Sequence, residues 1–533
     1  LVRRWLQGRE TGQYRPKHQN SERSGTEPLV KDGDDTKKRI SSRSRTAAAK
    51  DSGAPNGTNP PLKPRPQAKA SATDSKNFPI VGIGMSAGGL EVATTFLKAM
   101  PIDSGMGFVI VQHLDPTRES LLAELLQRTT KMPVVQITEG MRVEPNRVHI
   151  IIPDKTLLIA DGVLRLVPPE EKRGLRHPID KFFTALAEDQ KAKAIAIVLS
   201  GAGSNGSAGL PDIKQAGGMC IAQDPSTAKF DSMPRHAIAS GMIDFVLAPE
   251  DMPEALLRYA RHSYIENARP ELDEDVEAKG AVAEIADVLD LLLAKGGHDF
   301  RQYKHNTLSR RIHRRMSLAY TEKLDAYMSL LEENPDEIVA LGKDLLINVT
   351  AFFRDGEAWD ALDREVITPM VEQAEPGQTI RAWVPACSTG EEAYTIAMLL
   401  AERSDAAKKE LGVKIFATDA AEHHLSAARR ATFPGSMVES LPPERLALHF
   451  DKIDDSYYRI KAKIRETVLF APQNLLQDPP YSRMDLVSCR NLLIYLEPDA
   501  QDKVLSLAHF RAPPGWLSVP WQCRERRSPR SFV

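Results

Sequence analysis

The sequence predicts an α/β protein in which a doubly wound parallel-sheet domain is followed by a helical domain and a second α/β domain. Three observations lead there. From Phe78 to Arg258, short β-branched runs alternate with longer amphipathic runs, the pattern of a parallel sheet covered by helices on both faces. From Ala281 to Gly342 the chain is amphipathic with no convincing strand, and near Thr379 the alternation resumes. A length of 533 residues suits about three domains at roughly 100–200 residues each.

Residues 1–77 are rich in Ser, Gly, Pro, Asn and Lys and hold 17 Lys and Arg against 8 Asp and Glu. They include Pro60-Pro61-Leu62-Lys63-Pro64-Arg65-Pro66, which fits neither a helix nor a central strand, and they read as a disordered basic tail. Within 78–258 the candidate strands are Ile80–Gly84, Phe108–Gln112, Val134–Ile137, Val148–Ile152, Ala194–Leu199, Met219–Ala222 and Ile243–Leu247. The candidate helices between them are Gly89–Met100, Ser120–Arg128, Ile179–Gln190 and Gly209–Gln215. Residues 259–280 read as a linker, acidic from 266 onward, and 281–345 as the helical domain. Strands in 346–510 fall at Ile380–Pro385, Lys414–Thr418, Thr467–Pro472 and Asp485–Ser488, with Tyr457–Ile464 alternating like short antiparallel strands. The prolines at 513, 514 and 520 and the basic run after them do not suit a closing hairpin. Residues 511–533 are therefore expected to be an aberrant basic tail, from truncation or a shifted reading frame.

Composition excludes several function classes. Beyond residue 77 the chain carries 53 Lys and Arg against 64 Asp and Glu, an acidic balance that argues against a nucleic-acid binder. Apolar runs such as Ile195–Leu199 fall far short of the ~18 residues that cross a bilayer. No signal peptide opens the chain, so a cytoplasmic location without membrane insertion is expected. Cys220, Cys387, Cys489 and Cys523 show no CxxC spacing and read as free thiols, with no metal site expected. The oligomeric state has no sequence signal.

Two constellations carry chemistry. The first is Gly84-Met85-Ser86-Ala87-Gly88, a G-x-S-x-G turn between strand and helix. Such a turn lifts a serine hydroxyl above the sheet edge beside helix N–H groups, or simply binds an anion. Val109–Gln112 leads to His113 just past the next strand, and Leu199–Gly206 places a Gly-rich polar loop after a buried strand. Sites of open α/β sheets lie at the carboxyl ends of strands, so the three segments are expected to converge as nucleophile, base and orienting group. The stretches GMSAGG, VIVQHLDP, LSGAGSNGSAG and Gln223–Ala228 with Met233-Pro234-Arg235 resemble the chemotaxis-receptor protein-glutamate methylesterases over about 78–258. The resemblance implies hydrolysis of glutamyl methyl esters by a Ser-His-Asp triad, with Ser86 as nucleophile and His113 as base. Asn205 stands where the family has the triad aspartate, which implies an impaired esterase.

The second constellation is Ile380–Pro385 followed by Ala386-Cys387-Ser388-Thr389-Gly390-Glu391-Glu392, then Lys414–Asp419. A small-residue turn into a helix admits a ligand backbone, Glu391 suits a cation or hydroxyl, and an acid ending the second strand suits ribose hydroxyls. Asp419 alone is equally a helix N-cap. Together with Asn348–Asp355, Ala471–Leu475 and Ser488–Tyr495, this block resembles the chemotaxis-receptor glutamate O-methyltransferases over about 281–510. The resemblance implies a Rossmann-like methyltransferase with a small receptor-holding β subdomain and S-adenosyl-L-methionine as cofactor. It implies donor contacts at Asn348, Thr350, Arg354, Glu391, Asp419, Asn474 and Leu475, with Asn491 and Tyr495 bordering the transfer site. Arg354 is expected to orient a carboxylate and Tyr495 to steer the nucleophilic oxygen.

The basic run Arg310-Arg311-Ile312-His313-Arg314-Arg315 reads as a solvated face or a dock for acidic receptor helices, and His423-His424 as surface. The expectation is a bifunctional adaptation protein whose partners are methyl-accepting chemotaxis receptors, recruited to receptor arrays at the inner membrane face. A methyltransferase with a pseudo-esterase docking domain, and an inactive receptor-binding scaffold, stay open.

Overall fold

The computed structural model describes residues 78–112, 121–169, 176–266, 278–346, 350–438, 441–454 and 457–509. His113, Asn348 and both basic tails lie outside the described residues. The first half contains β1 (Ile80–Met85), α1 (Gly89–Ala99), β2 (Gly107–Gln112), α2 (Leu122–Gln127), β3 (Val134–Gln136), β4 (Val148–Ile150), β5 (Thr156–Ala160), β6 (Val163–Val167) and α3 (Pro178–Gln190). It continues with β7 (Ala194–Val198), α4 (Leu210–Gln215), β8 (Met219–Gln223), α5 (Ser232–Ala239), β9 (Phe245–Leu247) and α6 (Met252–Ala260). Seven strands form one sheet in the order β3-β4-β2-β1-β7-β8-β9, with every pairing parallel.

Strands buried on both faces need apolar residues at every position, as Ala194-Ile195-Ala196-Ile197-Val198 shows. Val92, Phe96 and Leu97 of α1 and Leu256 of α6 cover one face, and Phe182, Phe183 and Leu186 of α3 the other. Ile179 of α3 lies over Gly84, where any Cβ would collide with it, so the amino end of α3 sits at the carboxyl end of β1. An antiparallel hairpin of β5 and β6 interrupts the expected alternation. Its signal is Asp161-Gly162, whose φ angles of 54° and 70° suit a two-residue hairpin turn.

The second half opens with α7 (Ala278–Gly296), α8 (His305–Leu318), α9 (Leu324–Glu333) and α10 (Pro335–Leu345), packed around Leu289, Leu292, Phe300, Ile312, Tyr327 and Leu341. Then come α11 (Gly356–Leu362), β10 (Thr379–Pro385), α12 (Glu391–Ala407), β11 (Gly412–Asp419) and α13 (Glu422–Arg430). β12 (Thr432–Pro434), β13 (Phe450–Lys452), β14 (Tyr457–Ile460), β15 (Val468–Pro472) and β16 (Leu486–Val487) complete the strands among the described residues. The parallel sheet runs β15-β11-β10-β16, and β12-β14-β13 form a small antiparallel sheet. Of the alternating stretch 457–464, only Tyr457–Ile460 is a strand; Ala462–Arg465 is a helical turn that returns Ile464 to the core. Among the described residues no helix is long and apolar enough to cross a membrane.

The basic run of α8 is neither a solvated face nor a free dock. Arg314 is buried and pairs with both Asp244, between β8 and β9, and Asp344 of α10. Lys214 of α4 lies 3.2 Å from each of the same two carboxylates. The Arg314 Nε–H also donates to the Gly218 carbonyl at 2.9 Å, and Arg311 donates to the Asp344 carbonyl at 2.7 Å. Two cations and two anions thus neutralise one another across the junction of the two halves. Burial alone would raise the Asp244 and Asp344 carboxyls, but the charges of Arg314 and Lys214 outweigh it and hold both below the usual carboxylate range. That contribution is present above about pH 4 and is lost as pH falls through the lowered values. Arg314→Leu leaves a buried carboxylate short of its partner and is expected to cost about 3–5 kcal/mol, read as a drop in the thermal unfolding midpoint at pH 7. An unchanged midpoint would show that the cluster contributes nothing.

Candidate functional site

Both candidate sites lie at carboxyl ends of parallel strands. β1 and β2 pair in register up to Met85 with Gln112, so Ser86 leaves β1 at the level where β2 ends. The Ser86 amide donates to the Ser200 carbonyl at 3.0 Å, which ties the turn after β1 to the loop after β7. That loop passes so close that a Cβ built on Gly201 would meet the Ser86 Cβ at 2.9 Å. Ser86 is half-buried. Ser200 holds the turn from behind, its hydroxyl donating to the Ala87 carbonyl at 3.0 Å and its amide to Gln223 Oε1 at 2.8 Å.

Asn205, further along the same loop, is turned toward the amino end of α3. Its Oδ1 accepts from the amides of Ile179 at 3.2 Å and Asp180 at 3.3 Å. Two N–H donors aimed at one atom require an acceptor there, so the oxygen faces the helix and the NH₂ is left for whatever lies on the other side. Sequence reasoning missed the group beneath. Asp180 is buried, its Oδ1 accepts from the Ala208 and Gly209 amides at 2.8 and 3.0 Å, and His177 Nδ1 stands 3.7 Å from its Oδ2. Burial pushes the Asp180 carboxyl up against those hydrogen bonds. A polar pair, His177 and Asp180, therefore underlies the loop that carries Asn205.

In the second half, the turn after β10 doubles back sharply. Ala386, Ser388 and Gly390 all have positive φ, and the 95° of Gly390 is where only glycine is unstrained. The Cys387 amide donates to the Thr418 carbonyl at 2.9 Å and the Ser388 amide to Asp419 Oδ2 at 2.8 Å, which clamp the turn to the end of β11. A cavity opens beside this turn, lined by Thr350, Arg354, Ser388, Glu392, Asn491 and Tyr495 among others. Four of the sequence-selected residues, Thr350, Arg354, Asn491 and Tyr495, thus meet at one opening.

The other selected residues lie behind or beside it. Glu391 is fully buried at the start of α12, with both carboxylate oxygens accepting from the Thr389 hydroxyl at 2.8 and 2.7 Å. Burial pushes its carboxyl up to about 7. Asp419 accepts from the Ser388 and Ala421 amides, each oxygen at 2.8 Å, while burial raises its carboxyl. It is a clip between two turns rather than the cap residue of α13, which is Ala421. The Gln473 amide donates to the Asp419 carbonyl at 3.0 Å, which brings the Asn474 turn alongside. Asn474 Oδ1 accepts from the Leu476 amide at 3.0 Å, and Leu475 packs with Trp383, Leu496 and Val504.

Sequence reasoning passed over Glu392 and Arg490. Glu392 is pushed up to about 7 by burial and accepts from the Ser488 hydroxyl at 2.6 Å. Arg490 donates to the Arg354 carbonyl at 2.8 Å and stacks over Trp359, so it fixes the backbone from which Arg354 projects. The doubled acid of Gly-Glu-Glu was the signal available for Glu392. His423 is exposed, as expected, but lines a second cavity beside Asp419 with His298, Phe300 and Lys343, and His424 is half-buried.

Residues 81–256 match the CheB methylesterase family, 283–346 the all-alpha domain of CheR methyltransferases, and 348–518 their SAM-binding domain. An uncharacterized 104.1 kDa protein of Rhodobacter capsulatus is 39% identical over 411 residues, covering 74% of this chain and 43% of that protein. A putative protein-glutamate methylesterase/protein-glutamine glutaminase of Leptospira interrogans is 32% identical over 183 residues, 34% of this chain and 95% of the relative. A putative methyltransferase of Pseudomonas putida is 31% identical over 233 residues, 42% of this chain and 82% of the relative.

Proposed function

We infer that this chain, which belongs to the CheB methylesterase and CheR methyltransferase families, is an adaptation enzyme that esterifies glutamate side chains of methyl-accepting chemotaxis receptors and hydrolyses the resulting methyl esters only slowly. The observation that carries the first activity is the cavity after β10, where Thr350, Arg354, Asn491 and Tyr495 converge on the 386–388 turn. These residues fit S-adenosyl-L-methionine. The buried Ser388 hydroxyl in the cavity wall has no hydrogen-bond partner among the described residues, and the carboxyls of buried Glu391 and half-buried Glu392 suit a cationic ligand. When bound, the donor supplies an electrophilic methyl on a cationic sulfur, so an acceptor carboxylate that is already ionised needs no base. Glu391 and Asp419 would hold the donor's amino and ribose hydroxyl groups, and the resemblance assigns further donor contacts to Asn348, Asn474 and Leu475. Arg354 holds the incoming carboxylate and Tyr495 orients its attacking oxygen, so catalysis is positioning.

The slow second activity rests on Ser86 as nucleophile and His113 as base, with Asn205 in the orienting place. Purified full-length protein, a receptor cytoplasmic fragment and labelled methyl donor test the reading. Base-labile label accumulates on receptor glutamates and leaves slowly when the donor is removed. No incorporation, with donor binding absent, would overturn it.

Glu391 gives a pH dependence. Its raised carboxyl means the buried side chain is stable without charge below the ordinary glutamate range, and that stability is lost as pH rises through about 7. A cationic partner needs the ionised form. Donor affinity measured by calorimetry is expected to rise about tenfold per pH unit from 5.5 toward 7, then level off. Glu391→Gln flattens the slope; a slope that persists in Glu391→Gln and vanishes in Glu392→Gln would move the role to the neighbour.

A further inference from the structure

We infer that Gln215, at the end of α4 in the methylesterase-like half, is a positioning residue for methyl transfer in the other half, because its side-chain amide fixes the Tyr495 hydroxyl. The inference rests on the reading of Tyr495 as part of the transfer site. Gln215 Nε2 donates to Tyr495 Oη at 2.9 Å, across a sequence separation of 280 residues. Tyr495 lines the cavity that also holds Arg354 and Asn491. A phenol oxygen that accepts a hydrogen bond on one side directs its own O–H elsewhere. With the amide of Gln215 behind it, the Tyr495 hydroxyl turns its hydrogen away from α4, and the acceptance of one bond strengthens it as a donor. A donor held at that angle takes one oxygen of the incoming carboxylate and leaves the other to attack.

The setting makes this contact stiff. Gln215 follows Lys214, which is pinned between Asp244 and Asp344 in the buried ion cluster. The Tyr495 backbone carbonyl accepts from the Lys304 amide at 2.8 Å, and the Arg311 guanidinium lies 6.0 Å from the centre of its ring. One turn earlier on α4, Asp212 is held by the Thr184 hydroxyl at 2.7 Å. Its carboxyl is raised by burial and drawn back by that hydroxyl and by the Arg354 charge, so α4 stands within the field of the transfer site at a second point. Helix α4 thus backs Tyr495, a residue of the cavity wall, although it belongs to the other half of the chain.

The test uses the full chain with S-adenosyl-L-methionine and a receptor fragment. Gln215→Leu is expected to lower kcat for methyl transfer about tenfold, the value of one orienting hydrogen bond, with the donor Kd unchanged by calorimetry. Gln215→Glu keeps the shape but accepts instead of donating, and is expected to lose as much at neutral pH. In a Tyr495→Phe background, Gln215→Leu is expected to cost nothing further. Without donor or receptor, the Tyr495 ¹³Cζ resonance is expected to move in Gln215→Leu. Full activity of Gln215→Leu beside an impaired Tyr495→Phe would overturn the inference and spare the reading of Tyr495. An equal loss in the Tyr495→Phe background would overturn it as well, since that marks general destabilisation. Full activity of Tyr495→Phe would overturn the reading beneath it.

Discussion

Asn205→Asp is expected to raise hydrolysis of glutamyl methyl esters by as much as about 10⁴-fold, the size of the converse change in a serine protease triad. The reason lies in which atom Asn205 has left to offer. Its oxygen is taken by the Ile179 and Asp180 amides, so the side facing away is an NH₂ group. A base that must take the Ser86 proton at Nε2 has to donate Nδ1–H to its orienting partner. An imidazole set against an NH₂ would accept at Nδ1 instead and carry its proton at Nε2, the nitrogen that should be receiving one. A carboxylate has two oxygens, one for the amides at the amino end of α3 and one for the imidazole. Its charge is also favoured there by the helix dipole, so the replacement should fold. Hydrolysis of a methyl-esterified receptor fragment is the measurement, with Asn205→Ala as the control that stays slow and loses about 1 kcal/mol with its hydrogen bonds to α3. Rates for Asn205→Asp equal to the parent would refute this account.

Arg354→Ala should reduce methyl incorporation at saturating donor by about 10²-fold, the penalty for a carboxylate that is no longer held in line. Arg354 projects into the cavity from a backbone fixed by Arg490. Its planar fork matches a carboxylate through two hydrogen bonds, so Arg354→Lys should not restore the rate. Donor affinity, measured separately, should fall less than tenfold. Wild-type incorporation by Arg354→Ala at saturating donor would remove the residue from the reaction.

Much of this was legible in the sequence because strands buried on both faces advertise themselves. Ile80–Met85 and Ala194–Val198 are apolar at every position, and the turns after them hold Ser86 and Asn205. The clustering of Thr350, Arg354, Asn491 and Tyr495 followed from motif resemblance, which needs no geometry. What stayed hidden depends on contacts between distant segments. Six residues holding four arginines look solvated until Asp244 and Asp344 fold onto Arg314. Nothing near Gln215 hints at a tyrosine 280 residues away. The direction of the Asn205 amide was equally out of reach, since it is set by where α3 happens to begin.

The charge cluster of Lys214, Asp244, Arg314 and Asp344 also bears on how the polypeptide can be divided. Cutting the gene at the segment between the halves would strand Lys214 with Asp244 on one product and Arg314 with Asp344 on the other. Each excised module would then present an ion pair to solvent where its neighbour had sealed it. The two halves of this molecule therefore share one electrostatic seam, and neither is a self-contained part.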